Sequence, residues 1–245
     1  MTGLVVKSGL VVGTAGWSIP AAEAARFASE GTALQRYAGT FAGVEINSSF
    51  HRPHRRSTWE RWAASVPDGF RFAAKVPRTI THGRKLVDCG ALVAQFAQEA
   101  GGLGEKLAVL LVQLPPSLVF DAAVAEAFFV ELKSACPATV VCEPRHPSWF
   151  EAAADALLAG CEVGSVAADP ARMPEAAAPG GWRGISYFRL HGSPQPYRSS
   201  YDDERLSAYA ASIREDRGAR TVWCMFDNTA SSAATGNALS LLENL

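Results

Sequence analysis

A chain of 245 residues with 48% hydrophobic and 19% charged residues carries enough apolar material for a large core, which excludes a disordered composition. The formal net charge of −1 excludes a uniformly basic or acidic protein, and the longest apolar run, LAVLLV (107–112), is far too short to cross a bilayer. The opening MTGLVVKSGLVV lacks a long apolar stretch before a cleavage-like site, so no signal peptide is expected and the protein is read as cytoplasmic, with no membrane partner.

In chain order, eight short apolar runs each stop at a small cluster of Gly and polar residues. They are GLVVGTAGW (9–17), GVEINSSF (43–50), RFAAKVPR (71–78), LAVLLVQLPPS (107–117), TVVCEPRH (139–146), CEVGSVAAD (161–169), ISYFRLHG (185–192) and TVWCMFDNT (221–229). Runs of this kind are expected of parallel strands buried on both faces. Helix-like stretches fill most intervals: 21–39, with Pro20 in its first turn and Gly39 closing it, 55–67, 90–104, 121–135 with Asp121 as N-cap, 147–160, 202–216 and 231–245. The interval 170–184 holds three prolines and three glycines, which argues against a full helix. The expected architecture is one domain, 1–245, forming an imperfect (β/α)8 TIM-type barrel with helix six short or replaced by a loop. An open doubly wound sheet is the competing fold.

In such a barrel the strand carboxyl ends converge on one mouth. The convergent set begins with Gly13, Thr14, Gly16 and Trp17, followed by Glu45, Asn47 and Ser48, then Lys75 with Thr81 and His82 on the loop beyond it. It continues with Gln113, with Glu143, Arg145 and His146, with Asp169, with Arg189 and His191, and with Asp227 and Asn228. Glu45 lies among apolar strand residues, and a buried lone carboxylate needs a partner. Lys75 poses the same problem with opposite sign, so a Glu45–Lys75 pair is expected, and its perturbed pKa values suit acid–base work. Glu143 is a second carboxylate, and Arg189 and His191 share a strand face, where they can clamp and protonate an anionic group.

Glu45, Lys75, Glu143 and His191 are therefore the catalytic candidates. Thr14, Trp17, Asn47, His82, Gln113, Arg145, Arg189 and Asn228 are candidates for substrate binding. Trp17, Phe50, Trp149 and Tyr197 offer stacking surfaces, each of which ordinary packing also explains. His82, His191, Glu45, Glu143 and Asp227 are metal-ligand types, but no H-x-H, H-E-x-x-H or cysteine spacing supports a site, and no metal or other cofactor is expected. No G-x-S-x-G occurs, and Ser48 and Ser49 have no evident base in the sequence. The five cysteines form no C-x-x-C pair and read as reduced and buried.

Between His51 and Lys85 there are nine Lys or Arg against two acids, a local net charge of +7 on a chain of −1. Two readings stand: an anionic partner such as nucleic acid, or a solvated helix face carrying Arg55, Arg56 and Arg61.

At GTAGW (13–17), VEINSSF (44–50), FAAKVPRTITH (72–82), LLVQLPPS (110–117), CEPRHPSW (142–149), YFRLHG (187–192) and FDNT (226–229) the chain resembles the YecE-like domain-of-unknown-function family, DUF-72. The resemblance implies a TIM-barrel fold and carries over at Gly13, Gly16, Trp17, Glu45, Asn47, Phe50, Lys75, Thr81, His82, Gln113, Pro115, Glu143, Arg145, Ser148, Trp149, Arg189, His191, Gly192 and Asn228. The chain departs from the family pattern in having His51 for a tyrosine, Ala15 for a serine and Asp227 for an asparagine. The leading expectation is an enzyme acting by acid–base chemistry on a small phosphate-bearing or otherwise anionic substrate. The alternatives are a nucleic-acid-binding module using residues 51–85, without catalysis, and a carbohydrate-active barrel using the two carboxylates.

Overall fold

The computed structural model describes residues 9–217 and 221–245, so part of the N-terminal stretch read for a leader lies outside the described residues. The strands are β1 Leu10–Thr14, β2 Gly43–Ile46, β3 Arg71–Lys75, β4 Leu107–Gln113, β5 Thr139–Glu143, β6 Val163–Ser165, β7 Ala167–Asp169, β8 Gly180–Gly181, β9 Ile185–Leu190 and β10 Thr221–Phe226. The α-helices are α1 Ala33–Ala38, α2 Ser48–His51, α3 Arg56–Ala64, α4 Gly90–Ala100, α5 Ala122–Ala135, α6 Ala152–Gly160, α7 Asp203–Arg217 and α8 Ala233–Glu243. No helix among the described residues is long and apolar enough to cross a membrane.

The fold is α/β with parallel sheets. One sheet runs β1-β10-β9-β7, and the other runs β2-β3-β4-β5-β6, with β8 added antiparallel to β6. The two sheets meet at both margins. At one, Ala15 bridges Glu45 in parallel, and the Gly16 N–H donates to the Glu45 carbonyl at 2.8 Å. At the other, β6 and β7 are two halves of the sixth apolar run: β6 pairs with β5, and β7 pairs with β9.

Strand side chains alternate between two environments, as the period of two requires. Val11, Ala73, Val109, Leu111, Val141, Ile185, Tyr187, Trp223 and Met225 form a cluster built mainly from strand residues. Val12, Val44, Phe72, Leu110, Val140, Phe188 and Cys224 instead pack in the larger core, with helix residues such as Trp59, Phe96, Phe128, Leu158 and Leu241. Each fully buried aliphatic or aromatic side chain in these clusters contributes about 1.5–3 kcal/mol through burial. Continuing the first face toward the strand carboxyl ends, the side chains change from apolar to Glu45, Lys75, Gln113, Glu143 and Arg189, all buried.

Several expected helices are interrupted. The stretch 21–39 is a 3-10 turn, Ala21–Arg26, followed by α1, because Gly31 has a left-handed φ of 97° and Thr32 opens a new helix with a capping box to Gln35. The stretch 147–160 likewise divides into a 3-10 turn, Pro147–Phe150, and α6. Asp121 does cap α5, accepting from the Val124 N–H at 3.0 Å. Interval 170–184 holds a 3-10 turn, Pro174–Ala177, and the two-residue β8.

Candidate active site at the strand carboxyl ends

Arg189, near the end of β9, is 0% exposed and is surrounded by acids. Its Nε and Nη2 donate to both oxygens of Glu45 at 2.7–3.2 Å, its Nη1 donates to Glu143 at 3.0 Å, and Nη2 lies 3.0 Å from Asp227. Tyr187, one inward position earlier on β9, donates its hydroxyl to Glu45 at 2.9 Å. Glu45 is thus paired with Arg189 rather than with Lys75. Register explains the difference: Glu45 lies beside Ala73, so Lys75 sits two residues further along β3, on the order of 7 Å toward the carboxyl end.

His191 follows Arg189 on the same face. Its Nε2 is 3.0 Å from Glu143 and its Nδ1 is 3.0 Å from Asp227. A neutral imidazole has one N–H, whereas two flanking carboxylates call for two donors. Burial opposes the charged ring, but Glu143 and Asp227 outweigh it and raise the His191 pKa above 6.5. Burial likewise works against the Glu143 and Asp227 anions. It is overcome at Glu143 by Arg189, His191 and Arg145, and at Asp227 by Arg189 and His191, so both carboxyls titrate below their usual values. Gln113 donates to Glu143 at 2.9 Å and Arg145 at 3.1 Å, while Asn47 donates to Asp227 at 3.3 Å. Three carboxylates, Glu45, Glu143 and Asp227, are therefore matched by Arg189, Arg145 and a protonated His191.

Lys75 is 6% exposed, and no carboxylate among the described residues lies within 4.0 Å of its amine. Its Nζ instead sits 4.0 Å from the centre of the Phe50 ring. Burial and the Arg189 charge outweigh the pull of Glu45, Glu143 and Asp227 and bring its pKa down to about 8. His82 packs edge-on against the same Phe50 ring at 5.1 Å, and burial with Arg78, Lys75 and Arg145 lowers its pKa.

A cavity of about 380 Å3 opens over this cluster, lined by Glu143, Arg145, His191, Arg172, Tyr197 and the Pro170–Ala171 segment. Tyr197 stands 5.5 Å edge-on from His191, at 3.5 Å from Arg145 Nη2, and holds a left-handed φ of 68°. A non-glycine residue in that region is strained, and such strain concentrates at ligand sites. Arg172 was invisible in the sequence because it lies in the irregular interval, where no periodicity marks a face. Tyr187 carried a usable signal: it alternates with Arg189 and His191.

Three of the binding candidates, and Asp169 of the convergent set, are held elsewhere. Thr14 donates to the Tyr37 hydroxyl at 2.9 Å and is 1% exposed. Trp17 packs edge-on against Trp62 at 5.2 Å. Asn228 donates to Asn237 and to the Ser199 carbonyl, and Asp169 is engaged by Tyr201 and Arg205. Ser48 does acquire a partner that spacing did not reveal, His54 Nε2 at 2.8 Å. Among the described residues no group of three or more His, Cys, Asp or Glu is arranged to hold a metal ion.

The profile of the family described as "Protein of unknown function DUF72" matches residues 11–245. UPF0759 protein YecE of Escherichia coli (strain K12) is 33% identical over 84 residues, which cover 34% of this chain and 31% of that protein; the match thus spans about a third of this relative's length. A DUF72 family protein from Enterococcus faecalis V583 superposes with a TM-score of 0.82 at 17% identity, covering 96% of this chain and 95% of that one. A second, from Thermotoga maritima MSB8, gives 0.75 at 21% identity, covering 96% and 98%.

Proposed function

The chain belongs to the family described as "Protein of unknown function DUF72", and on that premise we propose that it is an enzyme acting by acid–base chemistry on a small phosphate- or carboxylate-bearing substrate. The observation that carries this reading is the shared lining of one cavity by Arg145, Arg172, His191 and Glu143. A cavity of about 380 Å3 suits a small molecule. Arg145 and Arg172 supply planar donor forks for an oxyanion, and His191 presents an acidic N–H beside it. Glu143 exchanges a proton with His191 across 3.0 Å. Glu45, with both oxygens taken by Arg189 and Tyr187, is a positioning residue that fixes the guanidinium, and Asn47 and Gln113 orient the other two carboxylates.

The architecture we propose around this site is a single imperfect (β/α)8 barrel in which β6 and β7 together serve as the sixth strand and a 3-10 turn stands for helix six. The strand order and the two meeting margins support it. The test of the anion site is a crystal grown with selenate, whose selenium scatters anomalously. A peak within hydrogen-bonding reach of Arg145 and Arg172 is expected, and a cavity without one at saturating selenate overturns the reading.

One observation favours a second reading, a nucleic-acid-binding surface. Arg52, Arg55, Arg61, Arg78 and Arg84 are exposed, and none has an ion-pair partner among the described residues. Arg56, by contrast, is held by Glu60 at 2.9 Å. Oligonucleotide binding that falls steeply with salt and weakens in an Arg52→Glu, Arg55→Glu variant would support this surface; binding that is absent or insensitive to salt removes it.

A further inference from the structure

We propose that a second cavity, between α2, α4 and the segment that follows β3, binds a free α-amino acid with an apolar side chain. This cavity, of about 190 Å3, shares no lining residue with the one edged by Arg145 and Arg172, so it stands or falls apart from the anion site. Its volume lies below the roughly 300–1,000 Å3 of sites for drug-sized ligands and suits a smaller molecule. Three segments build it. Leu92, Gln95, Phe96 and Glu99 recur at the i, i+3, i+4, i+7 spacing that puts them on one face of α4. Residues 49–53 and 77–79 supply the other walls. Phe96 is buried, and Phe50 and Leu92 are half-buried, so the walls offer apolar surface that gains by being covered.

The charged groups lining this apolar space are of both signs. Arg52 and Arg78 are exposed, and neither guanidinium meets a protein acceptor among the described residues. Glu99 lines the same cavity, yet neither arginine comes within 4.0 Å of its carboxylate. Its Oε1 accepts from the Gln95 amide at 2.9 Å, which leaves Oε2 and the Gln95 carbonyl oxygen as acceptors.

Opposite charges that line one small cavity without touching match a ligand that carries both charges on one carbon. An α-carboxylate takes the planar donor forks of Arg52 and Arg78, and an α-ammonium donates to Glu99 and Gln95. The side chain then lies against Phe50, Leu92 and Phe96. A simple carboxylic acid satisfies the arginines and leaves Glu99 unmatched, and a simple amine does the reverse.

The test is isothermal titration calorimetry of the full chain with L-phenylalanine and L-leucine. The comparison ligands are 3-phenylpropionate, which lacks the ammonium, and phenethylamine, which lacks the carboxylate. The expected result is saturable binding of one amino acid per chain, with each single-charge analogue weaker by about tenfold. Glu99→Gln removes the preference for phenylalanine over phenylpropionate, and an Arg52→Gln, Arg78→Gln variant removes the preference over phenethylamine. The analogue comparison needs only the wild-type chain, so it holds whether or not the variants fold. No saturable binding of either amino acid, or equal binding of phenylpropionate, overturns the site. Phenylalanine binding that both variants leave unchanged lies elsewhere and overturns it as well. If the amino acids fail while an oligonucleotide binds through Arg52, the arginines serve a polyanion and the amino-acid site falls.

Discussion

Arg189 has no contact with water, so its charge is balanced entirely by the carboxylates of Glu45, Glu143 and Asp227. Removing one member of a buried ionic group leaves the others uncompensated. Arg189→Met is therefore expected to lower unfolding stability by about 3–5 kcal/mol, measured by urea denaturation, and Glu45→Gln in the same chain should recover part of it. A loss below about 1 kcal/mol would mean that the cluster is solvated. His191 makes a second, pH-dependent contribution. Its folded pKa is raised, so its stabilisation is complete below 6.5 and is lost as pH rises through the folded value. Glu143 and Asp227 have lowered values, and their stabilisation is present above 4.5 and 3.8 and is lost as pH falls through their folded values. Stability should peak between those windows. An NMR titration should place the wild-type His191 midpoint above 6.5, and Asp227→Asn should lower it. At this scale the alternation of Glu45 with Asn47 and of Arg189 with His191 was legible, because period two fixes which face a side chain takes. The partner of Glu45 was not legible, since only the β2–β3 register shows that Lys75 lies beyond it.

At the scale of elements, β1 and β2 approach so closely that side chains are excluded between them. A Cβ on Gly13 would meet the Gly43 carbonyl oxygen at 2.3 Å, and one on Gly43 would meet Val11 at 2.6 Å and the Arg71 carbonyl at 2.8 Å. Gly13→Ala and Gly43→Ala should each cost about 1–3 kcal/mol through forced backbone shifts, read as a lower denaturation midpoint. Unchanged midpoints would show that this margin of the sheets can open. Because Glu45 sits on β2 next to that margin, the same variants should also disturb its pairing with Arg189. Strand positions were legible because their apolar runs stop abruptly at polar residues. The break inside 21–39 also had a signal, Thr32 followed three residues later by Gln35, and the helix-favouring composition around it obscured the restart. The split of the sixth run had none, since the change of pairing partner from β5 to β9 is a tertiary event.

The whole molecule places one mixed-charge cluster where the parallel strands end, under a cavity edged by Arg145 and Arg172. The basic segment 51–85 is divided by the fold: Lys75 is buried in the cluster, Arg56 is paired, Arg71 is half-buried against the Asp68 and Phe70 carbonyls, and Arg52, Arg55, Arg61, Arg78 and Arg84 are exposed. The charge asymmetry was visible in composition, but its division between mouth and exterior required the fold. Small-anion recognition by the cavity is the claim on which the proposed chemistry depends. It is tested most directly by equilibrium unfolding of the wild-type chain and an Arg145→Gln, Arg172→Gln variant across increasing inorganic phosphate and pyruvate at constant ionic strength. A specific ligand at about 100 times its Kd should raise wild-type stability by about 2.7 kcal/mol and leave the double variant nearly unchanged. Equal responses in both proteins, or none in the wild type, would contradict the account.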